Sequence, residues 1–460
     1  MGESLSPRGI GSASGDRTHT WVGQLMGYVA PRRNPARRAR SRFRCMTAVA
    51  SAIMLPSLLA ACASAHAATG PVALNFYANP DVSGATAKVA AACSAQSHGQ
   101  YTISYQVLPL ASDQQRQQLV RRLAAHDNSV DIMMLDVTWE PEFAAAGWVL
   151  PWTGSDKQQA ETGTLKPALE TAIWHNQLVA VPDFSNTELL WYRSDLVKTP
   201  PATWAQMIND SIQLAAEGKP HYIEIQGAQY EGATVWFNTM LASAGGSVLT
   251  PDAEQASLGA PAVTALGMMK RLATSVAADP SLGVQEENQN RLAMEAGTAA
   301  FELNYPFVYP SMKSDNPALF KDFKWAPYPE LVAGQPAHAT IGGTDLAVSA
   351  YSRYPKLDFQ AALCLRDQAS QLENATVGGL PPTLVSLYSD PAMFPDYPFH
   401  ADILRGLETA SVRPETPAYQ ILSIDLSHLV SPPAGIDPAS TEKSMAGEVG
   451  DALQEKGLIP

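Results

Sequence analysis

Asp136 is the residue whose position first suggests chemistry. It falls in the apolar run VDIMMLDV (130–137), which reads as a buried strand, and an open α/β sheet presents its ligand crevice at the ends of such strands. Trp139, Trp148 and Trp152 follow closely. A carboxylate accepts hydrogen bonds from hydroxyl groups, and an aromatic face covers the C–H face of a sugar ring. The pattern favours a hydroxyl-rich ligand, although Asp136 could instead cap the next helix and the tryptophans could be core residues.

Motifs of other chemistries do not occur in the sequence. The histidines His175, His221 and His338 are isolated, so no metal site is expected, and neither G-x-S-x-G nor H-E-x-x-H occurs. Gly342-Gly343 lacks the glycine spacing of a nucleotide-phosphate loop and would rather let the backbone come close to a ligand. We expect no metal and no other cofactor.

Two rivals to sugar binding stay open at this point. Asp136, Glu231 and Glu287 could supply the acid–base pair of a glycoside hydrolase, because the sequence does not fix the separation of their carboxyl groups. A non-sugar solute such as a peptide or a polyol is the other rival.

Strands and helices alternate along the chain, which predicts α/β layers with parallel sheets. The runs 178–184 and 187–193 are interpreted as paired strands. The helix over 111–127 is expected to be capped by Ser112 or Asp113, with Leu119, Val120 and Leu123 facing inward. Further strands are predicted at 71–79, 101–108, 297–307 and 341–349, and further helices at 85–96, 202–217, 233–244, 261–277 and 287–297.

The N-terminal segment has the pattern of an export signal. An arginine-rich stretch without acids (31–45) precedes the short apolar run MTAVASAIMLPSLLAAC, which is too short for a spanning helix of ~20 residues. Leu59-Ala60-Ala61-Cys62 resembles a bacterial lipobox, which implies lipidation of Cys62 and cleavage before it. The alternative is a secreted protein cleaved near AHAA. Residues 1–25 fit no part of a signal, so Met26 is the better candidate start.

Cleavage before Cys62 changes the charge of the chain. Nine of the 31 basic and two of the 44 acidic residues precede Cys62, so 22 and 42 remain, a formal net charge of −20. So acidic a body is not expected to bind nucleic acid or an anionic membrane surface other than through its lipid.

The length and the cysteines bear on the architecture. Roughly 400 mature residues exceed what one core usually organises, so two domains are expected. Of the four cysteines, Cys45 leaves with the signal and Cys62 takes the lipid. Cys93 and Cys364 remain, and outside the cytoplasm a disulfide between them is plausible, with two buried thiols as the alternative.

An ordered set of motifs resembles a known family. The segments LDVTWEPEFAAAGWVLPW, NTELLWYRSDLV, WFNTMLASAGGSVL, AGTAAFELNYPF, IGGTDLAVS, GGLPP and VRPETPAYQ occur in this order. They resemble the extracytoplasmic sugar-binding lipoproteins of ABC importers, the group of maltose-binding protein, and within it the mycobacterial trehalose-binding lipoproteins. The resemblance runs from about residue 71 to residue 460.

The resemblance implies a two-lobed α/β clamp of the periplasmic-binding-protein type with crossing hinge strands. After the signal segment (1–61) and a tether (62–70), lobe one would comprise 71–183 and 337–386, and lobe two 187–334 and 387–460. Cys93 and Cys364 would then share a lobe. The implied partners are a disaccharide, two permease subunits and their ATPase, and the protein would act as a monomer without catalysis.

The resemblance also implies a binding site. Asp136 and Asn186 match motif residues expected to hold hydroxyls, and Tyr305 occupies the place of a stacking aromatic that is Trp in the trehalose-binding pattern. Glu287 and Arg413 match a carboxylate and a guanidinium of the same site, and Arg413 could pair with Asp136 or Glu287 across the cleft.

Each of these residues has a plainer reading. Asn186 could be a turn residue, Tyr305 a core aromatic, Glu287 a helix N-terminal carboxylate exchangeable with Glu286, and Arg413 a salt-bridge partner. Weaker candidates for ligand contact are Glu231, Gly343, Asn79 and Asp81. We expect Asp136→Ala or Arg413→Ala to abolish uptake and to leave the fold intact.

Overall fold

A computed structural model describes residues 70–454 of the chain. Its strands are β1 Val72–Ala78, β2 Tyr101–Val107, β3 Ile132–Asp136, β4 Ile173–Trp174, β5 Gln177–Leu178, β6 Val181–Asn186, β7 Leu189–Arg193, β8 Tyr222–Glu224, β9 Ala299–Asn304, β10 Phe323–Ala326 and β11 Gly342–Val348. Its α-helices are α1 Ala85–Gln96, α2 Ser112–Ala124, α3 Glu140–Ala145, α4 Gly154–Glu161, α5 Lys166–Thr171, α6 Trp204–Ala216, α7 Glu231–Ser243, α8 Gly259–Ala273, α9 Glu287–Ala296, α10 Val308–Asp315, α11 Pro317–Phe320, α12 Pro355–Leu365, α13 Gln368–Gly378, α14 His400–Glu408, α15 Tyr419–Val430 and α16 Pro438–Leu453.

A five-stranded sheet has the order β2-β1-β3-β11-β6. Strand β1 runs parallel to β2 and β3, as the alternation of strands and helices predicts. Strand β11 runs antiparallel to both β3 and β6. The prediction of parallel strands therefore holds for β1, β2 and β3 but not for β11, because β11 reaches this sheet from the far end of the chain rather than through a helical crossover.

The chain passes between two sheets at residues 187–188. Strand β6 lies in the five-stranded sheet, whereas β7 lies in a four-stranded sheet of order β10-β7-β9-β8. The runs 178–184 and 187–193 thus do not pair with each other, and that prediction is wrong. The chain passes back to the five-stranded sheet between β10 and β11.

Each sheet has its own apolar core. The five-stranded sheet packs on α1, α2 and α12 through side chains such as Leu74, Leu119 and Leu363. One face of the four-stranded sheet packs on α6, α7, α8, α15 and α16, and the other on residues of α10 and α14. All described residues belong to one compact unit. The proposed lobe boundaries at 183/187 and 334/337 fall where the chain changes sheets, and they stay predictions.

Two local predictions have different outcomes. A disulfide joins Cys93 on α1 to Cys364 on α12, across 271 residues of sequence, so the predicted pairing is confirmed. The predicted cap of α2 is wrong: the N-cap residue is Ala111, which has no capping side chain, and Ser112 is already the first helical residue.

None of the helices within residues 70–454 has the length and apolar character needed to cross a membrane. The predicted signal segment, the lipobox at Cys62 and all of the tether except its last residue lie outside the described residues.

Candidate functional site

A cavity of about 240 Å³ lies between elements of the two sheets. Its lining combines residues of or near β1, α2, β3, β6 and β11 with residues of or near α7, α9 and β9. The lining residues are Asn79, Leu110, Ala111, Ser112, Gln115, Asp136, Phe184, Asn186, Tyr230, Glu231, Gly232, Val235, Glu286, Glu287, Asn288, Tyr305, Gly342, Gly343, Thr344 and Arg413. The structure therefore brings together every site residue that the sequence suggested except Asp81 and the three tryptophans after Asp136.

The floor of the cavity is the end of the five-stranded sheet. Thr344 lies opposite Asp136 on β3 and opposite Phe184 on β6. Gly342 lies opposite Asn186, two residues further along β11. Because directly opposite residues of neighbouring strands project to the same face of a sheet, these side chains share one surface.

Arg413 connects the floor of the cavity with α7. Its Nη2 donates to Asp136 Oδ1 at 3.2 Å, and its Nη1 donates to Glu231 Oε1 at 2.5 Å. The guanidinium side chain is only 3 % exposed, so both bonds lie away from bulk water. Of the two partners suggested for Arg413, the structure provides Asp136 and not Glu287, and Glu231 takes the second place.

Glu231 is held by more than the arginine. The hydroxyls of Tyr419 and Ser423 on α15 both donate to its carboxylate. Burial raises the pKa of Glu231, while the charge of Arg413 acts against that shift. Burial by itself lowers the pKa of Arg413, but Asp136 and Glu231 raise it well above its ordinary value, so Arg413 stays charged.

Tyr305 and Glu287 form the opposite wall. Burial raises the pKa of Tyr305 well above its usual range, and the neighbouring Glu188 and Glu287 add to the effect. Burial also raises the pKa of Glu287. Behind them, burial followed by the charge of Glu287 raises the pKa of Glu188 to about 8. The wall therefore presents a neutral phenol, and burial makes the neighbouring carboxyl groups of Glu287 and Glu188 harder to ionise than free ones.

The two glycines of β11 serve different purposes. A Cβ on Gly342 would meet Asn186 Cβ at 3.6 Å and the hydroxyl oxygen of Tyr305 at 3.9 Å, so hydrogen at this position keeps the cavity open. Gly343 has φ 125°, and a Cβ there would overlap the carbonyl of Phe184. The expectation that Gly343 admits a ligand is thus incomplete, because the backbone of β6 already requires the glycine.

Two suggested sets of residues do not reach the cavity. Asp81 accepts hydrogen bonds from the backbone N–H groups of Ser83 and Thr86, so its carboxylate organises the start of α1 instead. Trp139 and Trp152 are buried in the core of the five-stranded sheet, and Trp148 packs against that core. The idea that these tryptophans cover a sugar ring is wrong.

Several lining residues were not found from the sequence. The aromatic surface comes from Tyr230, Phe184 and Tyr305 rather than from the tryptophans. Tyr230 immediately precedes α7, next to the candidate Glu231, and this proximity was an available signal. Thr344 offered a weaker signal, because it is the single hydroxyl-bearing residue in the strand GGTDLAV.

The rest of the described chain contains fewer of the predicted site residues. A second cavity of about 510 Å³ is lined by Glu170, Ile173, Asn238, the loop 246–253 and residues 411–415, and of the predicted site residues it contains Arg413 alone. Among residues 70–454, no group of three His, Cys, Asp or Glu side chains could hold a metal ion.

Comparisons with known proteins match most of the chain. A family model described as bacterial extracellular solute-binding protein matches residues 79–363. A probable ABC transporter-binding protein of Deinococcus radiodurans is 28 % identical over 330 residues, which cover 68 % of this chain and 77 % of that protein.

Solved structures share the fold. Maltose-bound MalE3 of T. maritima is 25 % identical with a TM-score of 0.76, covering 82 % of this chain and 99 % of that chain. A solute-binding protein of Thermotoga lettingae bound with α-D-tagatose is 19 % identical with a TM-score of 0.73, covering 83 % of this chain and 100 % of that chain. These matches confirm the predicted two-lobed α/β fold class.

Proposed function

Because the chain belongs to the family of bacterial extracellular solute-binding proteins, we propose that it captures a disaccharide, with trehalose favoured, and passes it unaltered to an ABC importer. The ligand would lie in the cavity between the two sheets and contact Asp136, Asn186, Glu287, Tyr305 and Arg413. Two permease subunits and an ATPase would complete the importer, with the binding protein acting as a monomer.

One observation carries this proposal: Asp136, at the end of β3, and Tyr305, directly after β9 of the other sheet, line the same cavity. A carboxylate on one side and an aromatic ring on the other suit an uncharged sugar, which offers hydroxyl donors and an apolar C–H face. Glu286 and Glu287 add acceptors, whereas the guanidinium of Arg413 is already paired with two carboxylates. The cavity therefore favours a ligand rich in donors over an anion.

The preference for trehalose rests on the motif resemblance alone. Tyr305 stands where the trehalose-binding pattern has Trp, and its smaller ring face would contribute less stacking. Maltose is the second candidate, and it is favoured by the likeness to the maltose-bound MalE3.

Thermal unfolding with a panel of sugars tests the proposal. The panel contains trehalose, maltose, α-D-tagatose and ribitol, with glucuronate and glucose 6-phosphate as anionic controls. A ligand at 100 times its Kd stabilises the folded state by about 2.7 kcal/mol, so one disaccharide should raise the Tm by several degrees. Absence of a shift with every uncharged sugar would refute the proposal, and titration calorimetry would confirm a positive result.

Hydrolysis is tested separately. Long incubation of the protein with trehalose or maltose, followed by assay of free glucose, should detect none above a boiled control. Release of glucose at a rate proportional to protein concentration would instead favour a glycoside hydrolase.

The anchoring proposal concerns Cys62. We propose that the chain is held at the outer face of the cytoplasmic membrane by lipid on this residue. Wild-type protein should fractionate with membranes, and Cys62→Ala should be released or remain uncleaved. A wild-type chain found wholly in the culture medium would favour the secreted alternative.

A further inference from the structure

Thr344 occupies the middle of the cavity floor. It lies on β11 between Asp136 of β3 and Phe184 of β6, its direct partners in the sheet. Both partners line the cavity, and so does Thr344 itself. Since opposite residues on neighbouring strands share a face, the Thr344 side chain projects to the cavity side.

The hydroxyl of Thr344 has an unusual environment. The residue is 4 % exposed, and its Oγ1 has no hydrogen-bond partner among residues 70–454. A buried hydroxyl without a partner destabilises a fold, and Val has nearly the same shape and is equally suited to a strand. Thr171, which is also 4 % exposed, has its hydroxyl satisfied by the carbonyl of Ala168 at 2.8 Å.

A missing partner alone does not define a binding residue. Thr187 is buried with its Oγ1 also unsatisfied within the described chain, yet it does not line the cavity. Thr344 differs from Thr187 because other buried polar atoms around the same cavity also lack partners. Asn186 Oδ1 and Arg413 Nε are likewise buried without a partner in residues 70–454, and both residues line the same cavity. The floor thus combines an acceptor, a donor and a hydroxyl that can do both.

We infer that the Thr344 hydroxyl bonds one particular hydroxyl of the captured sugar and so determines which ring position must carry one. This inference rests on the proposed function and adds a specificity-determining residue to its site. A site built around a buried hydroxyl discriminates against an analogue that lacks the matching group, because the protein hydroxyl then stays unsatisfied.

Titration calorimetry with deoxy sugars tests the inference. Wild type and Thr344→Val are titrated with trehalose, maltose and the monodeoxy derivatives of each. For the sugar that binds, Thr344→Val should weaken affinity about 3- to 10-fold, the range of one neutral hydrogen bond. For one monodeoxy derivative the two proteins should agree within about twofold, since the bond is then lost in both. Thr344→Ser should bind like wild type.

Stability without sugar separates a binding role from a structural one. Thr344→Val should unfold at the same or a higher temperature than wild type, because it removes an unsatisfied buried hydroxyl. The matched control Thr171→Val should do the opposite, with a lower Tm and unchanged affinity.

The outcomes are distinguishable. Should wild type bind neither trehalose nor maltose, the proposed disaccharide function fails and this inference fails with it. Should wild type bind while Thr344→Val binds equally well, or loses the same factor for every derivative, only the role of Thr344 is overturned.

Discussion

Gln420 on α15 donates a hydrogen bond of 2.9 Å to the carboxylate of Asp113 on α2, which lies 307 residues earlier in the chain. Helix α15 packs in the core of the four-stranded sheet, and α2 packs in the core of the five-stranded sheet. The bond therefore joins a helix packed on the four-stranded sheet directly to a helix packed on the five-stranded sheet. It lies next to Ser112, which lines the cavity.

We expect Asp113→Ala to weaken sugar binding by roughly threefold to tenfold, mainly through faster dissociation. A hydrogen bond to a charged acceptor stabilises by about 1.5–3 kcal/mol when shielded, and less at this partly exposed place. Stopped-flow measurement of tryptophan fluorescence gives the two rate constants. Asp113→Asn retains an acceptor and should show a smaller loss.

The control for Asp113 is a carboxylate of the same kind without a partner across the cavity. Asp156 also lies in the first turn of a helix, α4, so Asp156→Ala removes a similar favourable interaction with the helix N-terminus. Equal effects of the two substitutions on dissociation would mean that the Gln420 bond contributes nothing to holding the sheets together.

Arg413→Ala should reduce stability as well as binding, which revises the expectation drawn from the sequence. Removal of the guanidinium leaves the buried carboxylate of Glu231 without its positive partner. Breaking a buried ion pair on one side costs about 3–5 kcal/mol. Urea unfolding should therefore show a lower free energy of unfolding, whereas Asp136→Ala, at a more exposed carboxylate, should lose binding with a smaller change.

The double variant Arg413→Met with Glu231→Gln separates the effect on stability from the effect on sugar binding. With neither Arg413 nor Glu231 charged, only the partly exposed Asp136 keeps an unpaired charge, so most of the stability should return, but sugar binding should stay lost. A double variant that binds sugar like wild type would remove Arg413 from the site.

The sequence predicted the individual strands and helices better than it predicted which strands pair with each other. The apolar run ending at Asp136 and the helix beginning at Glu287 were evident from local patterns, and the structure has both as elements. The partnership of β3 with β11 depends on residues some 200 positions away, which no local pattern contains. For the same reason the runs 178–184 and 187–193 were interpreted as paired strands, although the chain passes from one sheet to the other between them.

The site residues likewise divide into those that the sequence predicted and those that it missed. Asp136 was accessible from its position at the end of an apolar strand, and Arg413 because motif resemblance carries information about distant contacts. Thr344 was missed because a threonine in a strand is ordinary, and only the structure shows that its unsatisfied hydroxyl lines the cavity together with other unsatisfied polar atoms. The prediction that the tryptophans after Asp136 contact the sugar was wrong, because aromatic residues fill cores as readily as they cover sugars.

Gly342→Ala should block sugar binding without unfolding the protein. The added Cβ would contact Asn186 Cβ at an ordinary 3.6 Å, but it would occupy cavity space near the Tyr305 hydroxyl. We expect affinity to fall at least tenfold, with Tm within about 2 °C of wild type. Calorimetry and thermal unfolding provide the two measurements.

Gly343→Ala is the matched contrast one residue away. Its φ of 125° and the approach of a Cβ to within 2.7 Å of Ser185 Cα require the backbone to move. This variant should lose several kcal/mol of stability or fail to fold. If the two glycine variants behaved alike, the separate roles assigned to them would be wrong.

The stability of the protein should fall as pH rises from about 5 to 8. Glu302 on β9 is fully buried, and burial raises its pKa to about 8, with Oε1 accepting from Asn304 Nδ2 at 2.6 Å. In the unfolded chain a glutamate has a pKa near 4.3. Between these values the folded protein binds more protons than the unfolded one, so the free energy of unfolding decreases with pH. Burial raises the pKa of Glu188, Glu224 and Asp345 to about 8 as well, and they act in the same direction.

Glu302→Gln isolates one share of this pH dependence. The amide retains an acceptor for Asn304 and does not ionise, so the decline of stability should become shallower by up to about 1.4 kcal/mol per pH unit. Urea unfolding at pH 5, 6, 7 and 8 measures the slopes. The exposed Glu408→Gln on α14 is the control and should follow wild type throughout. A wild-type stability that rises across this range would contradict the predicted direction, and a slope that Glu302→Gln leaves unchanged would mean that Glu302 is ionised in the folded protein.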